Sequence, residues 1–151
     1  MPNVIVADTS CLILLSKIEE LELLEKFFGE VTVTEVVKSE FVDPLPQWIT
    51  ITNPSSNFHK GLHYILDPGE ASSIGLAFEL EDCLLIIDEL KGRKIGKELG
   101  IEITGTLGVL LNAKQKGIIN SIKPIIDKIN TTNFRLSENI INQVLFLANE
   151  T

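Results

Sequence analysis

The sequence predicts an α/β protein built around a central, mainly parallel sheet. Two apolar runs, at 3–7 and 83–87, carry this prediction, because each has the composition of a buried strand and each ends in an acid. The segments around them show apolar residues at helical spacing, so strands and helices alternate along the chain. Such alternation favours parallel strands joined by helical crossovers.

The first half of the chain is punctuated by glycine, proline and acidic residues that mark the ends of its predicted elements. Gly29 ends a helical segment, Pro44 forces the preceding helix to stop, and a region rich in Pro, Ser and Asn indicates a surface excursion with a minor edge strand. In chain order we expect a strand at 3–7, two short helices within 11–28, a strand at 31–33, a helix at 35–41, a surface excursion at 45–60 and its edge strand at 48–51.

The second half begins with a clear helix start, because Asp67, Pro68 and Glu70 occupy the N-cap, first and third helical positions. Glycines then end two further helices, and Ser137 is a suitable N-cap for the last one. In chain order we expect a helix at 68–80, a strand at 83–87, a helix at 91–99, a strand at 101–103, and helices at 106–116, 118–129 and 137–149.

Length, charge and cysteine content limit the class of protein. The 151 residues, 44% of them hydrophobic, suffice for one compact domain over residues 1–151. A formal net charge of −8 argues against broad attraction to nucleic acid, although a nuclease whose charge is locally inverted by bound metal stays open. Cys11 and Cys83 form no C-x-x-C pair, and the amino terminus resembles neither a signal peptide nor a membrane span. We therefore expect a soluble, cytoplasmic protein that does not contact membranes.

Four acids at strand ends or on the following helices are the candidate site: Asp8, Glu40, Glu70 and Asp88. In an open parallel sheet, ligands bind beyond the carboxyl ends of the strands, which is where Asp8 and Asp88 should lie. Carboxylates without His or Cys nearby suit Mg²⁺ or Mn²⁺ rather than zinc. The chemistry indicated is metal-assisted attack of water on a phosphodiester.

Each acid also has a purely structural explanation. Asp8 and Asp88 precede helices and could cap them, while Asp67 and Glu70 form a good capping box. Glu40 lies on a helix among other charges, where a solvated side chain is common. Only the joint arrangement of the four acids favours a metal site.

A basic helix follows Asp88. Lys91 with Lys94, and Arg93 with Lys97, are spaced three and four residues apart, so these four cations could present a basic edge to an RNA backbone. An ordinary solvated helix face explains the same pattern equally well.

Four motifs in order, VADTSCLI at 6–13, LDPGEA at 66–71, LLIIDE with KGR at 84–93 and ITGTLG at 103–108, resemble PIN domains. The closest similarity is to the prokaryotic branch of predicted nucleic-acid-binding proteins related to VapC-type toxins, and it extends to the tail at 134–137. The resemblance implies an α/β/α fold, an Mg²⁺- or Mn²⁺-dependent ribonuclease acting on single-stranded or structured RNA, and frequent homodimerisation. Toxin members also have a small antitoxin protein as a partner.

Carried over by position, the resemblance assigns the catalytic and metal-binding roles to the four acids, with Glu35 competing against Glu40 for the second place. Cys11 stands where this branch often has Pro, and Glu89 where a second Asp is common. The last motif offers Thr104 and Thr106 where some PIN enzymes carry a further acid, so a site with one metal is an alternative. The expected auxiliary residues are Thr9, Ser10, Thr104 and Thr106.

Other α/β classes fit less well. A haloacid-dehalogenase phosphatase needs an acid where Ser10 stands, a receiver domain needs adjacent acids near the first strand, and no glycine-rich dinucleotide motif follows that strand. The remaining alternative is a PIN-fold module that binds RNA or a protein partner without cutting. Metal-dependent turnover separates that module from the nuclease.

Overall fold

A computed structural model describes residues 2–150, and its centre is a five-stranded sheet. The strand order is β3-β2-β1-β4-β5, and each of these neighbouring pairs is parallel. The predicted parallel sheet is thereby confirmed. The strands are β1 Val4–Ala7, β2 Val31–Val33, β3 Ile49–Ile51, β4 Cys83–Ile86 and β5 Glu102–Thr104.

Helices cover both faces of this sheet and confirm the three-layer α/β/α architecture. Alternate residues of β1 point to opposite faces, so Ile5 and Ala7 belong to one apolar cluster and Val6 to the other. The first cluster is packed by α1, α2, α3, α7, α8 and α9, and the second by α4, α5 and α6. The helices are α1 Thr9–Lys17, α2 Glu22–Phe28, α3 Glu35–Glu40, α4 Phe58–Leu62, α5 Pro68–Glu79, α6 Leu90–Glu98, α7 Thr106–Gln115, α8 Lys123–Ile129 and α9 Glu138–Leu147.

One helix is shorter than its sequence predicts. We expected a helix over 118–129, but α8 begins only at Lys123, with Pro124 in its first turn. A proline deeper inside the helix would remove a backbone hydrogen bond and clash with the preceding turn. The amides of Ile122 and Lys123 instead donate to the Glu150 carboxylate, at 2.8 and 3.1 Å. A residue near the end of the chain thus caps this helix.

One short helix was not expected. Phe58–Leu62 forms α4 inside the segment predicted to be a surface excursion. Five residues carry too little helical periodicity to be recognised, and an isolated helix of this length is unstable in water. Burial of Leu62 in the second apolar cluster, next to α5, provides the tertiary packing that the local sequence does not reveal.

The sheet topology brings two of the predicted acids together. Strands β2 and β4 lie on opposite sides of β1, which makes the carboxyl end of β1 a topological switch point. Ala7 of β1 is in register with Ile86 of β4, and the Asp8 amide donates to the Ile86 carbonyl at 3.0 Å. Asp8 and Asp88 therefore emerge side by side. In residues 2–150, no helix combines the length and apolarity needed to cross a membrane.

Candidate active site

Asp8 is a buried carboxylate at the end of β1, with 3% of the residue exposed. Its backbone occupies the N-cap position of α1, but its side chain makes no cap hydrogen bond. The Oδ1 atom has no hydrogen-bond partner, which is rare for a buried polar atom. Helix capping therefore does not account for this side chain, and its bare oxygen is suited to a proton or a cation.

The electrostatics of Asp8 follow from its position. Burial raises the pKa of its carboxyl to about 7, against the lowering effect of the Thr9 amide. The negative charges of Asp67, Glu40 and Asp88 contribute to this rise in the pKa. These acids consequently lie close enough to repel one another.

Asp88 is fixed by the first residue of α7. Its Oδ1 accepts a hydrogen bond from the Thr106 amide at 2.7 Å, and its Oδ2 accepts one from the Thr106 hydroxyl at 2.6 Å. Asp88 does not cap α6, because Glu89 takes the N-cap position and accepts from the Lys91 amide at 3.0 Å. Thr106 thus holds the Asp88 carboxylate in one orientation.

Glu40, at the end of α3, is joined to the segment that carries Asp8. The Thr9 hydroxyl donates a hydrogen bond of 2.5 Å to Glu40 Oε1. Glu35 lies at the other end of α3, where its exposed carboxylate is 3.9 Å from Lys38 Nζ. The structure therefore places Glu40 beside Asp8 and leaves Glu35 away from it.

Glu70 takes part in a helix capping box and also lies close to other acids of the site. The predicted capping box is present, since the Glu70 amide donates to Asp67 Oδ1 at 2.9 Å and the Asp67 amide to Glu70 Oε1 at 3.4 Å. Glu70 is only 5% exposed, and its pKa rises to about 7 through burial and then through the charges of Asp67 and Asp8. We refer to Asp8, Glu40, Asp67, Glu70 and Asp88 as the acidic cluster.

The sequence predicts only a capping role for Asp67. Its charge nevertheless acts on both Asp8 and Glu70, so it belongs to the electrostatics of the site. The signal was present in the sequence, because a residue that caps the turn carrying Glu70 must lie near the Glu70 carboxylate.

Two glycines let backbone approach the acids closely. A Cβ atom on Gly69, in the first turn of α5, would collide with Glu40 Oε1. A Cβ atom on Gly105, just before α7, would lie 2.8 Å from Asp88 Oδ1 and 2.7 Å from Arg93 Nη1. The positions of these carboxylates thus depend on the absence of two side chains.

The other predicted polar residues are distributed unevenly. Thr9 and Thr106 contact acids of the cluster, as described above. Ser10 is exposed on α1, and the Thr104 hydroxyl donates to the Gly105 carbonyl at 3.4 Å. Among the hydrogen bonds within residues 2–150, neither Ser10 nor Thr104 is joined to an acid of the cluster.

The structure separates the four cations of the basic helix into two kinds. Arg93 is half-buried, and its Nη1 donates to the Ile87 carbonyl at 2.9 Å, so it supports the turn that presents Asp88. The other three are exposed lysines on α6. Arg93 therefore has a structural contact in addition to its charge. The lysines are Lys91, Lys94 and Lys97.

The donor chemistry of the acidic cluster fits a divalent cation. Its side chains offer only carboxylate oxygens, Asp8 Oδ1 has no partner, and burial with mutual repulsion raises the pKa of Asp8 and Glu70. Within the described residues, however, no three His, Cys, Asp or Glu side chains are arranged so that they could hold a metal ion. Coordination by three of these acids would therefore require side chains of the cluster to move.

Comparison with known proteins agrees with this architecture. A family model described as a PIN domain matches residues 4–150, which is nearly the whole chain. No curated protein matches the chain. PIN domains have a nuclease-type fold and typically use divalent metals, in keeping with buried acids at the carboxyl ends of parallel strands. The chain belongs to the PIN-domain family.

Proposed function

We propose that this protein is an Mg²⁺- or Mn²⁺-dependent endoribonuclease that hydrolyses phosphodiester bonds of single-stranded RNA. The observation that carries the proposal is the buried Asp8 carboxylate, whose Oδ1 lacks a partner beside other acids at the topological switch point. A structural acid in that position would be paired or would cap a helix. Membership of a family of nuclease-type fold adds support.

In this proposal Asp8, Glu40, Glu70 and Asp88 hold the cation. When bound, the ion would lower the pKa of a water molecule and stabilise charge that develops on the phosphate. The protein's own residues orient the carboxylates that would hold the ion. Thr106 holds both oxygens of Asp88, and burial around Asp8 keeps bulk water from screening its charge.

The direct test is cleavage of a panel of single-stranded RNAs by the purified protein. We expect cutting with Mg²⁺ or Mn²⁺, none with EDTA, and weak activity with Ca²⁺. Cleavage without metal, or RNA binding without cleavage by any metal, would contradict the proposal.

A second candidate function is a PIN-fold module that binds RNA or a protein without cutting. It is favoured by the finding that no three acids of residues 2–150 are arranged to hold a metal ion. The two candidates differ in one measurable respect, since only the nuclease has metal-dependent turnover.

The similarity of the motifs to VapC-type toxins supports a more specific proposal, in which the nuclease is the toxin of a toxin-antitoxin pair. The protein would then act in the cytoplasm as a homodimer, and a small antitoxin would block its site. A short neighbouring gene encoding a DNA-binding half and a disordered tail is expected. Light scattering would measure the dimer, and inhibition by that gene's product would test the pair.

Gly69→Ala tests whether the position of Glu40 matters for cleavage. The added methyl would displace the Glu40 carboxylate without removing any acid, whereas alanine is favoured over glycine in a helix by up to about 1 kcal/mol. We expect a folded protein whose cleavage rate falls at least about tenfold, because small misplacements of reacting groups are costly. Gly61→Ala is the matched control, since no atom lies within 4 Å of its Cβ position. If the Gly69 variant cleaves RNA like wild type, the assignment of Glu40 to the site is wrong.

A further inference from the structure

A groove beside the acidic cluster combines apolar and basic side chains on the protein surface. It lies between the turn that follows α4 and the helix α6, and its volume is about 460 Å³. Clefts that bind small molecules are of similar size. We call it the Leu90 groove, and its lining residues are Ile65, Leu90, Lys91, Lys94, Ile95 and Glu98.

The apolar side chains of this groove are unusually exposed. Leu90 is 79% exposed and Ile65 is 50% exposed, although both are large hydrophobic residues. Tyr64, the residue before Ile65, is 92% exposed and is the chain's single tyrosine. Exposed apolar residues are normal when scattered, but neighbours of this kind mark an interaction surface.

The turn that presents Tyr64 is held in place by backbone hydrogen bonds. The amides of Ile65 and Leu66 both donate to the Leu62 carbonyl, at 3.1 and 2.9 Å, and Leu62 and Leu66 are buried. The exposed aromatic ring is therefore carried by an anchored segment.

Both walls of the groove are close in the chain to acids of the cluster. Along the chain, Ile65 lies five residues before Glu70, and Leu90 lies two residues after Asp88. A Cβ atom on Gly92, in the first turn of α6, would lie 3.5 Å from Glu70 Oε2, so this helix begins against the cluster. A chain seated in the groove would thus lead to the site where we propose that phosphodiesters are cut.

The charge of the Leu90 groove indicates which kind of molecule would bind there. The protein carries a net charge of −8 and has 13 basic residues, four of which fall in the nine residues of α6. Lys91 and Lys94 line the groove, with Glu98 as the one acid among its lining residues. An acidic protein thus places a local excess of positive charge beside exposed apolar and aromatic side chains. That combination is the one used to bind single-stranded nucleic acid, where bases stack and phosphates meet cations.

We propose that the Leu90 groove is a binding subsite for an unpaired nucleotide of the RNA substrate. A base lies against Ile65 and Leu90, and Lys91 and Lys94 contact the neighbouring phosphates. Tyr64, next to Ile65 in the chain, offers a further ring for stacking at the border of the groove. This inference rests on the proposed ribonuclease function and names the side chains that would make it require single-stranded RNA, because the bases of a duplex cannot reach them.

The test measures binding separately from cutting. A fluorescein-labelled single-stranded RNA of about 12 nucleotides is titrated with the full-length protein in Ca²⁺, and gels verify that the RNA stays intact. Alanine substitution of a stacking residue typically weakens binding at least about fivefold. We expect such losses in Tyr64→Ala and Leu90→Ala, and wild-type affinity in Tyr64→Phe. The duplex of the same sequence should bind more weakly than the single strand.

Matched controls exist elsewhere on the surface. Phe146 and Leu147, on α9, are exposed apolar residues outside the groove, so their alanine variants should bind RNA like wild type. The double variant Lys91→Gln with Lys94→Gln should bind RNA with a smaller salt dependence. The slope of log K against log salt concentration should change by about two at most, since each phosphate contact contributes about one. Lys116→Gln, at the end of α7 remote from Thr106, should leave the slope unchanged.

The outcomes separate this inference from the proposed activity. If the groove variants lose RNA affinity but wild type cuts no RNA with Mg²⁺ or Mn²⁺, the subsite stands and the nuclease proposal fails. If wild type cuts RNA and the groove variants bind like wild type, the subsite is wrong. It is also wrong if the duplex binds as tightly as the single strand, or if the variants change only self-association in light scattering.

Discussion

Asp8→Asn is expected to abolish metal-dependent RNA cleavage while leaving the metal-free protein at least as stable as wild type. The substitution removes a buried carboxylate that burial and neighbouring acids destabilise in its charged form. It keeps the size of the side chain and removes one repulsive charge from the acidic cluster. It also removes a proposed ligand, so the rise in melting temperature on addition of Mg²⁺ or Mn²⁺ should disappear. Thermal unfolding with and without metal, beside a cleavage assay, measures both effects.

Asp88→Asn is a useful comparison, because the Asp88 carboxylate accepts hydrogen bonds on both oxygens, whereas Asp8 Oδ1 has no partner. Both Asp88 oxygens accept hydrogen bonds from Thr106, whereas an asparagine would accept from the Thr106 amide and donate to its hydroxyl. We expect loss of cleavage together with a destabilisation of about 1 kcal/mol, because two hydrogen bonds to a charged group become neutral ones. If Asp8→Asn retains cleavage and a wild-type metal shift, Asp8 is structural and the site assignment is wrong.

The stability of the metal-free protein is expected to fall as pH rises from about 5 to about 7. In the folded protein, the pKa of Asp8 is raised from 3.8 to about 7 and that of Glu70 from 4.5 to about 7, chiefly by burial. Between these values the unfolded chain has released both protons while the folded protein still holds them. Rising pH therefore favours unfolding until the folded carboxyls also ionise, and the change is on the order of a few kcal/mol.

Metal should reverse this trend, because a cation binds the ionised carboxylates. The increase in melting temperature caused by Mg²⁺ should be small near pH 5 and grow through about pH 7. Glu150 acts in the opposite direction below about pH 5, because hydrogen bonds lower the pKa of its folded carboxyl to about 2, against the effect of burial, from 4.5. The comparison therefore begins at about pH 5. Melting curves across pH for wild type and Asp8→Asn give the comparison. Equal pH dependence in the two proteins would exclude Asp8 as a source of the effect.

Local patterns in the sequence were sufficient to locate the elements that carry the acids. Apolar runs that end in Asp8 and Asp88 predict strands, and the capping box of Asp67 and Glu70 predicts the start of α5. These signals depend on residues close together in the chain, where strand and cap preferences operate. Because parallel strands have their carboxyl ends on the same side of the sheet, the two acids are expected on that side.

Other features of the site depend on contacts between residues that are far apart in the chain, and local sequence patterns do not predict those contacts. Thr106 lies 18 residues beyond Asp88, and Thr9 lies 31 residues before Glu40, so neither hydrogen bond has a local signature. The Thr9 hydroxyl, on the residue after Asp8, bonds Glu40 and not Glu35, and this distinction has no sign in the local sequence. The hydrogen bond from Arg93 to the Ile87 carbonyl spans only six residues, but no sequence pattern predicts it either.

Direct measurement of Mn²⁺ binding by electron paramagnetic resonance tests the central claim, that the acidic cluster is a divalent-cation site. At about pH 8, where Asp8 and Glu70 are ionised, wild type should bind Mn²⁺ and release it when Mg²⁺ is added. Asp8→Asn should bind it at least about tenfold more weakly. Absence of Mn²⁺ binding to wild type, or undiminished binding to a variant carrying both Asp8→Asn and Asp88→Asn, would contradict the account.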